Sequence, residues 1–275
     1  MQHEAIDGLV IRVKDMGDHD RYLSVLTAEK GRISLLSKGS RSIKGSQMAV
    51  SQLYTYGNFE YYRRGDFYIL KSGSSIQSFY ALSTDMDRLN LAAYLSEVTG
   101  EVTDEGEPAE EMLRLLLNSL YAISRDRYPQ ELIKGAFEMR AATISGYAPD
   151  LGGCSRCGKE EAPHFYLDVM NGALLCPDCL RHQAPVKRGG ESYDEIREAE
   201  LLCPISPSVL AALRYAAYAP LSRVFSFELK ERRELLSFAK TAQSYLLSHL
   251  GRGFDSLNFY YTMKGDDPLQ KGIST

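Results

Sequence analysis

No apolar run in the sequence approaches the roughly 20 residues that a membrane-spanning helix needs. The longest candidate, Leu113 to Leu120, is interrupted by Arg114 and Asn118, so a soluble protein with no membrane partner is expected. Catalytic signatures are missing as well. There is no glycine-rich phosphate loop ending in Lys-Ser/Thr, no Gly-x-Ser-x-Gly elbow, and no His-x-Glu of the kind that accompanies Cys-x-x-Cys in zinc deaminases. The acidic pairs Glu110-Glu111 and Asp266-Asp267 fall at a helix start and in the C-terminal stretch, where helix-dipole complementarity or plain solvation accounts for them. A protein that is not an enzyme is expected, a nuclease with scattered carboxylates being the alternative.

Cysteine is scarce, at five residues in 275, yet four of the five form a pattern. Cys154 and Cys157 make one Cys-x-x-Cys, Cys176 and Cys179 a second, and eighteen residues separate the pairs. Two such turns let four thiolates converge on one ion, the closed tetrahedral set of a structural zinc. Gly158 after the first pair and Pro177 inside the second suit the tight loops this requires. A closed set leaves no open position for water, so one structural Zn2+ that braces the fold is expected, not a Lewis acid. Disulfides are the competing reading, but the chain opens Met1-Gln2-His3-Glu4 with no charged segment leading into an apolar run. A cytoplasmic, reducing location follows as the expectation. A thioredoxin-type redox pair would sit at the start of a βαβ unit and would not be duplicated at this spacing. His164 and His182 read as surface residues, and Cys203 as a lone inert thiol.

The formal net charge of −4 is unevenly spread. Residues 1–80 carry 11 Lys+Arg against 8 Asp+Glu, a balance of +3; residues 81–275 carry 21 against 28, or −7. The basic front part also has strand periodicity: Leu9, Ile11 and Val13 alternate with Val10, Arg12 and Lys14, and Leu23-Val25-Thr27 and Ile33-Leu35 repeat the period. Gly31 predicts a tight turn between the second and third runs. Aromatic runs Leu53–Tyr62 and Phe67–Leu70 follow, joined through Arg63-Arg64-Gly65-Asp66. Five strands in about seventy residues suit a small OB-type barrel, with a small sandwich as the alternative.

From Ser83 the period turns helical. Ser83 or Thr84 predicts the cap of a helix ending near Thr99-Gly100; Glu107-Pro108 opens a second helix, and Pro129 a third stopped by Gly146. After the cysteine module and a polar linker at Lys187-Arg188-Gly189-Gly190, Ser206-Pro207 caps a further helix. A long helix then covers about Lys230–Leu250, and the stretch beyond Gly251 is expected to be poorly ordered. The expected class is multidomain α+β. An N-terminal five-stranded OB-type β-barrel (1–80) precedes an α-helical domain (81–149 and 187–254) with an inserted four-cysteine zinc module (150–186), and 255–275 forms a C-terminal tail.

In the barrel, the cations Arg12, Lys14, Arg32, Lys38, Arg41, Lys44, Arg63, Arg64 and Lys71 are interleaved with Tyr54, Tyr56, Phe59, Tyr61, Tyr62, Phe67 and Tyr68. A cationic groove tracks a phosphate backbone while aromatic faces stack bases, a combination suited to single strands. Core packing competes for each aromatic, because alternation sends every second residue inward. The Lys38–Ser46 loop, with three cations, two glycines and no acid, is the clearest phosphate-facing segment.

The order of parts and the wording of two blocks are similar to a known family. Asp7-Gly8-Leu9-Val10-Ile11-Arg12-Val13-Lys14, Gly17-Asp18-His19-Asp20-Arg21 and Glu29-Lys30-Gly31-Arg32-Ile33-Ser34-Leu35-Leu36-Ser37-Lys38-Gly39-Ser40-Arg41 resemble the N-terminal barrel of the bacterial recombination mediator family RecO. Ser145-Gly146-Tyr147-Ala148-Pro149-Asp150-Leu151, leading into Cys154-Ser155-Arg156-Cys157-Gly158, resembles that family's approach to its zinc module. The resemblance implies a non-enzymatic, nucleoid-associated DNA repair protein. Such a protein binds single- and double-stranded DNA, anneals strands, associates with RecR, and acts on strands coated by single-strand-binding protein so that RecA is loaded. It maps DNA contacts to Arg12, Lys14, Arg32, Lys38, Arg41 and Lys44 and metal ligands to the four cysteines; Arg63 and Arg64 rest on their place in the hairpin alone. A protein-interaction scaffold with only weak nucleic-acid binding is the alternative, permitted by the acidic rear of the chain.

Overall fold

In a computed structural model, residues 3–42, 47–65, 67–182 and 202–265 are described. Two compact units emerge: Met1–Arg127 with Phe254–Thr275, and Tyr128–Gly253. The divide falls between the second and third helices of the 81–149 stretch.

The first unit starts with strands β1 (His3–Met16), β2 (Asp20–Thr27), β3 (Arg32–Ser37), β4 (Thr55–Arg64) and β5 (Phe67–Ser78). They close a barrel in the order β1-β2-β3-β5-β4, all pairs antiparallel except β3 with β5. This five-stranded barrel, closed by one parallel pair, is the OB-type architecture expected. Strand β1 serves two partners. Its first half pairs with β4 and its second with β2, and a bulge between Val10 and Arg12 lets it change direction. The simple alternation expected across Leu9–Lys14 therefore breaks: Leu9, Val10 and Ile11 are all buried. Inside the barrel lie Ile6, Val10, Leu23, Val25, Ile33, Leu35, Phe59, Tyr61 and Leu70. Val50 joins them from the chain that follows β3. Around it, Gln47 Nε2 donates to the carbonyls of Leu70 (3.1 Å) and Lys71 (2.9 Å), and Ser37 Oγ donates to Gln47 Oε1.

Gly31 makes the β2–β3 turn at φ +58°, and a Cβ there would lie 2.1 Å from the Asp104 carbonyl oxygen. Both the left-handed backbone and the close approach demand glycine. Strand β4 starts at Thr55, not Leu53, because Tyr54 adopts φ +59° while its NH donates to Val10 and its carbonyl accepts from Phe79. Strand β5 runs eight residues beyond Leu70. Its Ser-rich continuation has no apolar alternation to announce it, yet it pairs with β4 as far as Ser78.

Helices α1 (Met86–Glu101) and α2 (Glu110–Arg125) follow in the same unit. The cap of α1 is Asp85, whose Oδ1 accepts from the Arg88 NH at 3.1 Å. Ser83 and Thr84 lie instead in the preceding 3-10 turn, and their hydroxyls donate to the Tyr80 and Ala81 carbonyls.

The second unit holds α3 (Gln130–Ile144), then strands β6 (Asp150–Cys154), β7 (Phe165–Asp168), β8 (Ala173–Leu175) and β9 (Leu202–Ile205), which form a four-stranded sheet of order β6-β8-β7-β9. Between β8 and β9 comes α4 (Pro177–Arg181), and after β9 come α5 (Pro207–Tyr218) and α6 (Arg232–Leu250). Helix α5 is capped as expected, Ser206 Oγ accepting from the Val209 NH. The linker at Lys187-Arg188-Gly189-Gly190 lies outside the described residues. The expectation of a poorly ordered stretch after Gly251 needs correction over Asp255–Met263, while 266–275 lie outside the described residues. Asp255–Met263 form α7, which packs on α1 in the first unit, with Leu257 and Tyr260 buried and the Ser256 NH donating to Glu97.

Candidate nucleic-acid interface and metal centre

Strand register sorts the outward side chains of the barrel into rows. One row is Tyr56, Leu9, Leu26 and Arg32. Leu9 and Leu26 are fully buried although they are absent from the barrel core, and the helices that contact β1 and β2 are α1 and α2. This row is covered. Arg32 belongs to it, and its Nη1 donates to the Gly100 carbonyl at 2.6 Å, in the last turn of α1. Such a carbonyl lacks an intrahelical donor, and the guanidinium complements the negative end of the helix.

Two further rows are open. Arg12, Ser24 and Ser34 form one; Lys14, Tyr22, Leu36, Ile69, Tyr62 and His3 form the other. In these rows only Ile69 is buried. Tyr22 is half-buried, between Lys14 and Leu36, and the His3 and Tyr62 rings meet edge to face at 5.7 Å. Tyr22 was not singled out from sequence. Its signal was present, since it has the outward parity opposite to Leu23 and Val25.

The expected phosphate-facing loop is tethered to the β1–β2 turn. The Gly39 NH donates to Asp20 Oδ1 (2.8 Å), the Arg41 NH to the His19 carbonyl (3.1 Å), and Arg41 Nη1 to the Gly17 carbonyl (2.6 Å). Arg41 Nε also lies 3.6 Å from Asp15. Arg63 Nε donates to the Gly65 carbonyl, and Lys71 pairs with Glu60 at 2.7 Å. Lys30, not singled out from sequence, pairs with Glu4 and donates to Tyr61 Oη at 3.2 Å. By contrast the side chains of Arg12, Lys14, Lys38 and Arg64 are exposed and make no hydrogen bond or ion pair among the described residues. Lys44 lies outside the described residues. Of the aromatics, Phe59 and Tyr61 are core, Tyr54 is 4% exposed, Tyr56, Tyr62 and Tyr68 are half-buried, and Phe67 is 54% exposed. Burial pushes the Tyr54 hydroxyl up to about 12, so it stays protonated at neutral pH.

The four cysteines converge. Their Sγ atoms all lie within 4.8 Å of one another, and Cys157 Sγ is 3.7 Å from Cys176 Sγ. A tetrahedron of Zn–S bonds of about 2.3 Å has edges of about 3.8 Å, so the set fits a zinc-sized ion. Both turns form as their residues dictate. Gly158 adopts φ +72° with its NH donating to the Cys154 carbonyl, and Cys176 caps α4 with Pro177 in the first turn. Burial opposes ionisation of Cys154, but the amides of Cys176, Cys157 and Arg156 outweigh it and pull its pKa down to about 6. Hydrogen bonding to Cys157 and Cys176, followed by burial, pushes Cys179 up to about 12. Four sulfurs this close cannot all ionise without a cation between them, which is the demand a divalent metal meets. Cys203 lies on β9 outside the cluster, its thiol pushed up by burial.

Side chains of α5 and α6 grip the chain that leads into this centre. Arg214 donates to the carbonyls of Leu151 (2.7 Å) and Gly152 (3.0 Å), Tyr218 Oη to Pro149, and Tyr245 Oη to Tyr147 (3.0 Å). Gly172 completes the fit: at φ +63°, any Cβ would lie 2.7 Å from the Tyr245 hydroxyl.

Fold and site together define a protein with an OB-type barrel and a helical unit that carries a four-cysteine cluster able to hold a metal ion. The profile described as "Recombination protein O N terminal" matches residues 1–79, and that described as "Recombination protein O C terminal" matches residues 83–258. The chain belongs to the recombination protein O (RecO) family. A protein named "DNA repair protein RecO" from Acetivibrio thermocellus is 31% identical over 264 residues, covering 96% of this chain and 98% of its own. Proteins of the same name from Clostridium acetobutylicum (23% identity; 91% and 95% covered) and Bacillus pumilus (26%; 82% and 80%) are also similar. No helix among the described residues is long and apolar enough to cross a membrane.

Proposed function

We propose that this RecO-family chain is a DNA-binding recombination mediator acting at the nucleoid. It binds single- and double-stranded DNA, anneals complementary strands and, with RecR, helps RecA load onto strands coated by single-strand-binding protein. The observation that carries the reading is the open side of the barrel. There Arg12 and Lys14 accompany the outward Tyr22, and Lys38 and Arg64 are likewise exposed cations whose side chains have no partner among the described residues. The cations neutralise phosphates and Tyr22 stacks on a base, with no covalent chemistry. Arg41 and Arg63 contribute long-range charge while shaping their loops; Arg32 acts as a helix brace. The metal is Zn2+, and its role is structural.

Salt titration of single-strand affinity tests the DNA contact. Each neutralised phosphate on a single strand contributes about −0.7 to the log-log slope, so four contacts predict a slope of about −3. Affinity that ignores salt would overturn the groove. Annealing of strands coated by single-strand-binding protein tests the mediator role: acceleration is expected, and its absence alongside weak DNA binding would favour the scaffold alternative. The full chain is the right reagent. The backbone bridge from Gly31 to Glu105 and the Arg32–Gly100 bond tie the barrel to residues that a 1–80 fragment would lack.

A further inference from the structure

The four sulfurs of the metal centre are unequal. Cys154 and Cys176 are buried, Cys179 is half-buried and Cys157 is exposed. Backbone amides repeat the division. The Cys176 NH donates to Cys154 Sγ at 3.4 Å and the Cys179 NH to Cys176 Sγ at 3.5 Å, whereas Cys157 Sγ accepts no backbone hydrogen bond among the described residues. Burial excludes an oxidant, and amide donors withdraw electron density from a thiolate. Susceptibility to oxidation follows exposure and thiolate character. Cys157 has both when it ligates a metal.

We propose that Cys157 is a peroxide-modification site whose oxidation opens the metal centre; the proposal rests on the cluster holding zinc. The Cys157 thiolate attacks the peroxide, an S–O bond forms as the O–O bond breaks, and hydroxide leaves to be protonated to water. The resulting sulfenic acid is attacked by Cys176, whose sulfur lies 3.7 Å away. An S–S bond forms and a second hydroxide departs. Two electrons pass from the thiolate pair to one peroxide, and atoms and charge balance. Only Cys154 and Cys179 remain as thiolates, a pair that cannot close a tetrahedral site, so the ion leaves. Cys203 is an internal control, because it is half-buried on β9 and outside the cluster. The opened centre loosens the 150–182 module, while the barrel, which has no cysteine, keeps its fold.

The test uses the full chain with its zinc content measured first by native mass spectrometry. A chain that never holds zinc sinks the metal reading before any oxidant is added, and ion release with it. Hydrogen peroxide is then added while a chromophoric chelator reports released zinc, a thiol reagent counts free cysteines, and peptide mapping locates disulfides. One zinc per chain should leave as two thiols disappear, with Cys157 joined to Cys176, and dithiothreitol with zinc should restore the starting state. Cys157→His retains a set of three thiolates and one imidazole able to hold zinc but lacks the exposed thiolate, and should release its ion at least about tenfold more slowly. Cys203→Ser should release zinc at the parental rate. Retained zinc with Cys203 oxidised first, a disulfide that omits Cys157, or release from Cys157→His as fast as from the parent would each overturn the proposal.

Discussion

The barrel and the metal module solve the problem of positioning a small sheet by opposite means. The barrel closes on itself and fills its interior with Phe59, Tyr61 and eight further apolar side chains, so two of its outward rows are left open for other uses. The module contributes three short strands to a sheet completed by β9, buries Leu151, Phe165, Leu167 and Leu174, and adds to this small core four converging sulfurs and the grip of Arg214, Tyr218 and Tyr245. Charge separates them too. Residues 1–80 have a surplus of three positive charges, while residues 150–182 carry three Lys+Arg against five Asp+Glu, to which a tetrathiolate zinc would add two more negative charges. Two of the module's three cations, Lys159 and Arg181, already pair with Asp178. The lesson is that a tetracysteine module in a nucleic-acid protein need not be the part that meets phosphate.

Removing a metal ligand should break the comparison most violently. Cys154→Ser should cost several kcal/mol or more in the second unit, because structural zinc supplies folding free energy outright. The melting transition of the first unit should stay in place, as read by scanning calorimetry beside metal analysis. Phe59→Ala should do the reverse, lowering barrel stability by about 3–5 kcal/mol with zinc content unchanged. Tyr22→Ala should weaken single-strand binding by about 1–3 kcal/mol in a fluorescence titration, with little effect on melting, because the ring is only half-buried on the outward face. Arg32→Ala separates covered from open rows. Loss of the bond to Gly100 should cost about 1 kcal/mol of stability, yet the salt slope of DNA binding should match that of the unaltered chain.

The smallest effect concerns Glu4. Its hydrogen bond from Lys30, helped by Tyr61, holds its carboxyl below the ordinary value of 4.5. The contribution is complete above 4.5 and fades as pH falls through the lower folded value. The two partners are over two-fifths exposed, so a few tenths of a kcal/mol is the expected scale. The stability gap between the native chain and Glu4→Gln should narrow below about pH 4.5, and a gap that widened with acid would contradict the assignment.

Sequence periodicity was a good guide wherever one rule acted alone. The two Cys-x-x-Cys turns, the Gly31 turn, the Pro129 helix start and the Ser206 cap were each legible because local chemistry and tertiary contact agree there. It misled where a long-range partner decided. The bulge after Val10 exists because β1 must pair with both β4 and β2; the Ser-rich half of β5 is a strand only because β4 lies beside it; α7 is a helix with α1 to pack on. The same reason explains the cations. Arg12 and Arg32 look alike in sequence, and only register puts one on an open row and the other beneath a helix.

The claim that the barrel meets DNA while the metal braces a separate unit is tested most directly by the salt slope of single-strand binding, measured on the full chain before and after zinc is removed with a chelator. The account predicts the same slope of about −3 in both states, with only the second unit's melting transition lost. A slope that collapses towards zero on zinc removal, with that transition intact, would contradict it and move the DNA contact to the cysteine module.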